Sequence, residues 1–440
     1  MSAQPKATGK QIGLVAATAL GVGGMMGAGL YTLLGLAATS AGSLLPIAFL
    51  VAGVAAAFSV YSYSRLGAVM PSRGGAAHFI VAEYGKGVVA GGINVFQYFG
   101  YLVATALYAA GFAEYVRALY ATEMPSWGPK VVGVGIVALF LLISVVNSKL
   151  VGRSETVIVG VELVILVLFV VLGSTKADFS RLTENAKGGL GVLTAAALLY
   201  VTYQGFGVIA NASSRMVKPA RELPRAMFAA LGVVAAIYLV ISTLVIALVP
   251  MDKIVADAGH VLADAGEEIA GRAGFVIVSV AALLATASAV NATLFASANV
   301  AFDESRTDEL PHALTRTLGR DGNLALVVSA ALIALLVVFF PLNAVGQMTS
   351  LAFLLVYAMV NLGHLRIRHR TGARSWPLVI AVVINIALFV ILLFDAIRSG
   401  SPGTWITLVA AIIFSFVAEV VAQRYRRRRS ASAATPPGAG

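Results

Sequence analysis

The chain has 440 residues, of which 59% are hydrophobic and 12% charged. A soluble domain carries about 25% charged residues, so this chain lacks the polar surface to coat a water-borne globule of its size, and a lipid bilayer is the solvent that fits. There is no cysteine, which excludes disulfides and thiolate metal sites; the net charge of +11 sits in short segments between apolar runs, so membrane topology explains it and no nucleic-acid partner is expected.

A helix needs about 20 apolar residues to cross the hydrocarbon core. A short polar tail (1–11) precedes the first run, and no cleavable leader is expected. Twelve runs follow, at 12–38, 44–66, 88–119, 130–148, 155–173, 189–212, 226–249, 271–302, 323–340, 344–365, 376–397 and 403–422. They predict an all-α integral membrane protein with 12 transmembrane helices. Between them, Pro71 to Gly87 predicts a short surface helix. Residues 251–270 predict a long external loop bearing Asp252, Asp257, Asp264, Glu267 and Glu268. The tail at 424–440 is basic, then rich in Ala, Ser, Pro and Gly, which predicts disorder. Sorting the basic residues by side puts 23 of the 31 Lys and Arg on the side of the N-terminus. The positive-inside rule then predicts both termini in the cytoplasm, for a multi-pass protein of the cell (plasma or inner) membrane.

Two spans carry irregular stretches. In the first, Gly21 to Gly29 contains five glycines in nine residues, each costing about 1 kcal/mol of helix propensity relative to alanine. In the sixth, Thr202-Tyr203-Gln204-Gly205-Phe206-Gly207 interrupts an apolar helix. Broken backbone at membrane depth is tolerated where it is buried in protein or lines a cavity. These two stretches open two five-helix halves, spans 1–5 and 6–10, and matched interruptions point to a transporter's substrate site. Free N–H groups at a half-helix N-terminus suit an anion, and free carbonyls at a C-terminus suit an ammonium group or a cation. Gly23 and Gly27 also have the spacing of a close helix contact.

Almost every charged residue falls in a loop or at a helix end. The exception is Glu162, midway along span five. A charge near the bilayer centre costs about 2.5–3.5 kcal/mol, and such residues are functional candidates. A carboxyl able to be neutral or charged can carry a proton or bind a cation. Thr286, Ser288, Asn291 and Thr293 stud span eight, and Asn94, Gln97, Tyr98, Tyr101 and Tyr108 stud span three; these are weaker signals. His78, His260, His312, His364 and His369 lie in loops or at helix ends and are expected to form no ligand cluster. No nucleotide-binding motif and no catalytic cluster of His, Asp or Ser appears, so neither an ATP-driven pump nor a membrane enzyme is expected, and no cofactor is implied.

Several motifs together resemble the amino acid–polyamine–organocation (APC) superfamily. Gly23-Gly24-Met25-Met26-Gly27-Ala28-Gly29-Leu30-Tyr31 is similar to its first-span motif G-x-x-x-G-x-G-[IL]-[FY]. Met70-Pro71-Ser72-Arg73-Gly74-Gly75-Ala76 looks like its P-x-x-GG segment. Tyr203-Gln204-Gly205-Phe206, then Lys218 to Ala226, resemble its span-six break and N-P-x-R-x-[IL]-P-[RK]-A tail. Ser288 to Asn299 and Ser305 to Pro311 resemble its span eight and the loop that follows.

The resemblance implies a 5+5 inverted repeat with discontinuous helices 1 and 6: a first repeat at 12–173, an inverted second at 188–369, and two trailing helices at 375–423. It implies alternating access and a small-molecule substrate, an amino acid or amine, with oligomeric state left open. By analogy the backbone from Met25 through Met26, Gly27 and Ala28 to Gly29 holds the substrate carboxylate. Carbonyls around Gly24, Met25, Thr202, Tyr203, Gln204 and Gly205 hold its amine, and Phe206 is a gate. The chain departs from the family in three places. Arg65-Leu66 replaces a Glu-Leu pair, Ala292 stands near the usual span-eight aromatic, and Glu162 stands where several proton-coupled members place a lysine. Glu162, with Thr286 and Ser288, is therefore the candidate site for a coupling ion, H+ or Na+.

Overall fold

The computed structural model describes residues 12–71, 75–120, 124–146, 151–306, 309–318, 322–399 and 402–433. The first span is two helices, α1 (Leu14–Met26) and α2 (Ala28–Ala41), bent by 46° about Gly27. There follow α3 (Leu45–Val69), α4 (Gly75–Tyr84), α5 (Val88–Tyr120), α6 (Gly128–Val146) and α7 (Val151–Ser174). The second half begins with α8 (Gly188–Leu199) and α9 (Phe206–Ala212). It continues through α10 (Pro219–Leu248), α11 (Met251–Ala256), α12 (Val261–Arg306), α13 (Leu324–Phe339) and α14 (Leu342–Thr371). α15 (Ser375–Arg398) and α16 (Pro402–Ala433) close the chain, and the strand content described is one two-residue hairpin before α13.

Among the described residues, ten helices are long and apolar enough to cross a membrane, and the bent pair α1–α2 makes an eleventh. The ninth expected span, α13, has 16 residues, about 24 Å of helix at 1.5 Å per residue against about 30 Å of hydrocarbon. The helices follow the predicted runs because a bilayer forces every backbone polar group to bond within its own segment. The lipid-facing flanks stay apolar and exposed: Val157, Val164 and Val171 on α7, Val383 and Val390 on α15, and Phe414 and Val421 on α16.

Packing pairs helices of the two halves. α3 lies along α10, α5 along α12, α6 along α13, α2 against α8 and α1 against α9. Small residues let these backbones approach. A Cβ at Gly21 of α1 would overlap the Ile209 side chain of α9, and a Cβ at Gly53 of α3 would lie 3.3 Å from the Tyr203 ring.

Three expectations change. The external loop at 251–270 is mostly helical: α11 is followed by the first turns of α12, which then break at Ala270 and Gly271 (φ 60°) before the membrane-crossing part. The segment from Arg424 continues as helix to Ala433, because extending a formed helix costs less than nucleating one and arginine is a good helix former; residues 434–440 lie outside the described ones. The span-six interruption is milder than a break. Residues Tyr200–Tyr203 tighten into a 3-10 turn, and Gln204 and Gly205 keep right-handed helical dihedrals.

Candidate functional site

The irregular stretches of spans one and six touch. A Cβ at Gly205 would overlap the backbone of Gly24 and Met25, so only glycine permits this approach. At the other end of the seam, a Cβ at Gly29 would lie 3.1–3.2 Å from Thr202. The stretches Gly24 to Gly29 and Thr202 to Phe206 therefore lie side by side. Met25, Met26, Tyr203 and Phe206 are fully buried and Thr202 nearly so, while Gly24 is exposed and Gly27 half-buried. α1 ends at Met26, so its last carbonyls point at the seam, and α2 starts at Ala28 with the free N–H groups of its first turn.

The 3-10 winding shortens the hydrogen-bond ladder. Gln204 N–H donates to Val201 O, Gly207 N–H to Gln204 O and Val208 N–H to Gly205 O, each three residues back. Carbonyls that an α-helix would engage become available. The hydroxyl of Tyr238 on α10 takes two of them together: it lies 2.6 Å from Met25 O and 3.3 Å from Thr202 O. One phenol thus bridges both halves of the seam. Its ring is held between Phe49 and Tyr203, with centroids at 5.2 Å from each.

Phe206 sits in an aromatic cage, its ring 5.2 Å from Tyr63 of α3 and 5.2 Å from Tyr357 of α14. Tyr357 in turn reaches Gln204 O at 3.5 Å, and Gln204 faces Tyr108 of α5. Beneath the cage Tyr200 joins a buried polar node. Asn361 and Asn385 both donate to Ser59 Oγ at 3.1 Å, which leaves the Ser59 proton for the Tyr200 hydroxyl at 2.8 Å.

Glu162 is buried, with 3% exposure, and faces Tyr31 of α2. Its Oε1 and the Tyr31 hydroxyl have no hydrogen-bond partner beyond each other among the described residues. Glu162 approaches the seam through α1: Val159, one turn earlier on α7, packs over Gly23, where an added Cβ would lie 3.1 Å from it. Thr286 is turned to Gly111 of α5 and gives its proton to Ala282 O at 2.6 Å. Ser288, two positions on, stands about 200° further round α12 at 3.6 residues per turn, so the structure does not turn both hydroxyls to one point.

Glu162 is not the lone buried acid that the sequence suggests. Glu83 on α4, Asp264 and Glu304 on α12 and Glu419 on α16 are also at most 6% exposed. They stand near helix ends in the sequence but are covered by neighbouring helices. Tyr238, Tyr31, Tyr357 and the Ser59 node were also missed. An aromatic or a single hydroxyl on a helix face gives no local sign that its oxygen is the part in use.

The chain belongs to the amino acid permease family, whose model matches residues 12–418. It is 30% identical over 420 residues to an uncharacterized protein of Methanocaldococcus jannaschii, covering 94% of this chain and 97% of that one. It is 29% identical over 417 residues to an inner membrane transport protein of Escherichia coli, covering 94% and 97%. It is also 26% identical over 438 residues to the methylthioribose transporter of Bacillus subtilis, covering 94% and 92%. With its many membrane-length helices, the protein is a multi-pass membrane transporter.

Proposed function

We propose that this permease is a secondary active transporter of amino acids across the cytoplasmic membrane, working by alternating access and driven by a proton or sodium gradient. The carrying observation is the seam. The broken ends of α1 and α2 meet the 3-10 stretch of span six backbone to backbone, with carbonyls and N–H groups at one place. An ammonium can take the carbonyls around Met25 and Thr202, and a carboxylate the first-turn N–H groups of α2. The pairing of α3 with α10, α5 with α12, and α6 with α13 supports twelve spans arranged as a 5+5 repeat, with α13 as a short ninth span. The basic-residue bias supports both termini in the cytoplasm.

Glu162 is the proposed coupling group, taking a proton or a sodium ion and needing no other cofactor. A second reading keeps the fold and the seam but replaces the substrate with a polyamine, another amine or an inorganic cation. The buried acid Glu162 beside α1 favours that alternative, and the naming of one relative for methylthioribose shows that relatives differ in cargo. A thermal-shift screen of purified protein against neutral amino acids, amines and sugars, with and without sodium, separates them. Stabilisation by α-amino acids that vanishes with their decarboxylated amines supports the first reading. Stabilisation by amines alone rejects it.

Tyr238 gives a sharper expectation. Its hydroxyl occupies both carbonyls that the ammonium would use. Tyr238→Phe leaves them unpaired at a cost of about 1–3 kcal/mol, so the ligand-free protein should melt at a lower temperature. The rise in Tm on adding the amino acid should then exceed the wild-type rise, since the ligand no longer displaces a phenol. An equal rise in both proteins would show that Tyr238 does not compete with substrate.

A further inference from the structure

The segment joining α10 to the membrane-crossing part of α12 gathers three metal-ligating side chains that sequence inspection treats separately. We propose that Asp257, His260 and Asp264 form a binding site for a divalent transition ion of the zinc class, on the face that the basic-residue bias assigns to the outside.

The geometry carries the proposal. Nε2 of His260 lies 3.8 Å from Asp257 Oδ1 and 3.9 Å from Asp264 Oδ1, and one ligand atom from each residue lies within 4.8 Å of the others. These separations are too long for hydrogen bonds. A tetrahedral zinc ion with bonds of about 2.0–2.1 Å holds its ligands about 3.3–3.4 Å apart, so the two histidine edges must close by about half an ångström and the Asp257–Asp264 edge, within 4.8 Å, must close to the same spacing by side-chain rotation. The backbone fixes the arrangement: Asp257 N–H donates to Lys253 O, His260 N–H to Asp257 O and Ala263 N–H to His260 O, all at 2.8–3.0 Å. This winding sets positions i, i+3 and i+7 on one side.

A second observation points to a ligand. Asp264 is 3% exposed, and its Oδ2 has no hydrogen-bond partner among the described residues; nor has Nδ1 of His260. An unpaired buried carboxylate is costly, and a bound cation relieves that cost. The neighbouring cations make their ion pairs with other acids. Lys253 Nζ lies 3.3 Å from Glu267 and 3.6 Å from Glu268, and Arg117 pairs with Glu114.

The donor set decides the class. Calcium takes six to eight oxygen ligands and magnesium a near-ideal octahedron of them. One imidazole with two carboxylates suits zinc, with water in a fourth position, and half-exposed Asp257 leaves a path for entry. The site also rests on the transport core. The backbone of Ala258 lies so close to Gly35 of α2 that a Cβ there would overlap it. A bound ion would therefore clamp this segment onto the second half of the broken first span.

The test uses the untagged full-length protein in detergent, stripped with chelator and dialysed against zinc, with metal counted by mass spectrometry and stability by thermal melting. One retained equivalent and a raised Tm are expected, with no rise from calcium at the same concentration. His260→Ala and Asp264→Asn should each weaken zinc binding by about tenfold or more while their chelator-treated melting stays cooperative. If Asp264→Asn does not fold, Asp257→Asn, at a more exposed position, should give the same loss. Wild-type protein that retains only a small fraction of an equivalent, or His260→Ala that retains as much as wild type, would overturn the proposal. Because metal content is read without transport, failure here leaves the permease reading untouched.

Discussion

Gly205→Ala is expected to reduce uptake in proteoliposomes to the background of empty vesicles, while Gly207→Ala, two residues away, is expected to leave it near wild type. The two positions differ in what a methyl group would meet. At Gly205 it would overlap the carbonyl of Gly24 and the amide of Met25, whereas at Gly207 nothing lies within 4 Å. Side chains can rotate aside, but this neighbour is backbone, so the methyl must push spans one and six apart. Overpacking of a dense core costs about 1–3 kcal/mol when side chains can adjust, and adjustment is blocked here. The separation would also move Met25 O and Thr202 O away from the single hydroxyl of Tyr238 that joins them. Equal uptake by the two variants would show that the seam is a packing contact and not the substrate site.

The second large effect concerns energy coupling. Glu162→Gln should abolish accumulation of substrate against its gradient while leaving exchange of internal for external substrate intact. An amide of the same shape can neither release a proton nor neutralise a cation, yet it fills the same space beside Tyr31. Folding should not suffer. The Glu162 carboxyl faces the Tyr31 hydroxyl, which an amide can also meet, and a carboxylate at this depth costs about 2.5–3.5 kcal/mol to insert, a cost the amide reduces. Measuring accumulation with an imposed proton or sodium gradient, alongside counterflow without one, separates the two activities. Gradient-dependent accumulation that survives the substitution would remove Glu162 from the coupling mechanism.

The features legible in the sequence are those with a local or periodic signal. Span positions follow from hydropathy because the bilayer leaves a segment no other way to satisfy its backbone. The glycine run of span one marked the bend at Gly27, where helical winding stops. Span six was harder. Its polar residues looked like a break, but Gly205 sits at a helical φ and ψ and is needed for close approach. Whether a glycine serves conformation or contact is not written in its neighbours along the chain.

The remaining site features depend on pairs far apart in the chain. Tyr238 meets Met25 across 213 positions, and Ser59 meets Asn385 across 326. Each reads locally as an ordinary core residue. The acids Glu83 and Glu419 fell near span ends, where charge is expected to reach water, and it is the covering helices that bury them. His260 was read as a loop histidine outside any ligand cluster. Its carboxylate companions stand three residues before it and four after it, a spacing that needs the helical winding of that segment to become a cluster.

The most direct measurement takes the α-amino acid that most stabilises the purified protein and follows its radiolabelled uptake into proteoliposomes under an imposed proton or sodium gradient. The account predicts accumulation above the external concentration, collapse of that accumulation when an ionophore dissipates the driving gradient, and none of it with Gly205→Ala. Uptake no faster than in empty liposomes for every amino acid tested, or accumulation that persists after both gradients are dissipated, would contradict it.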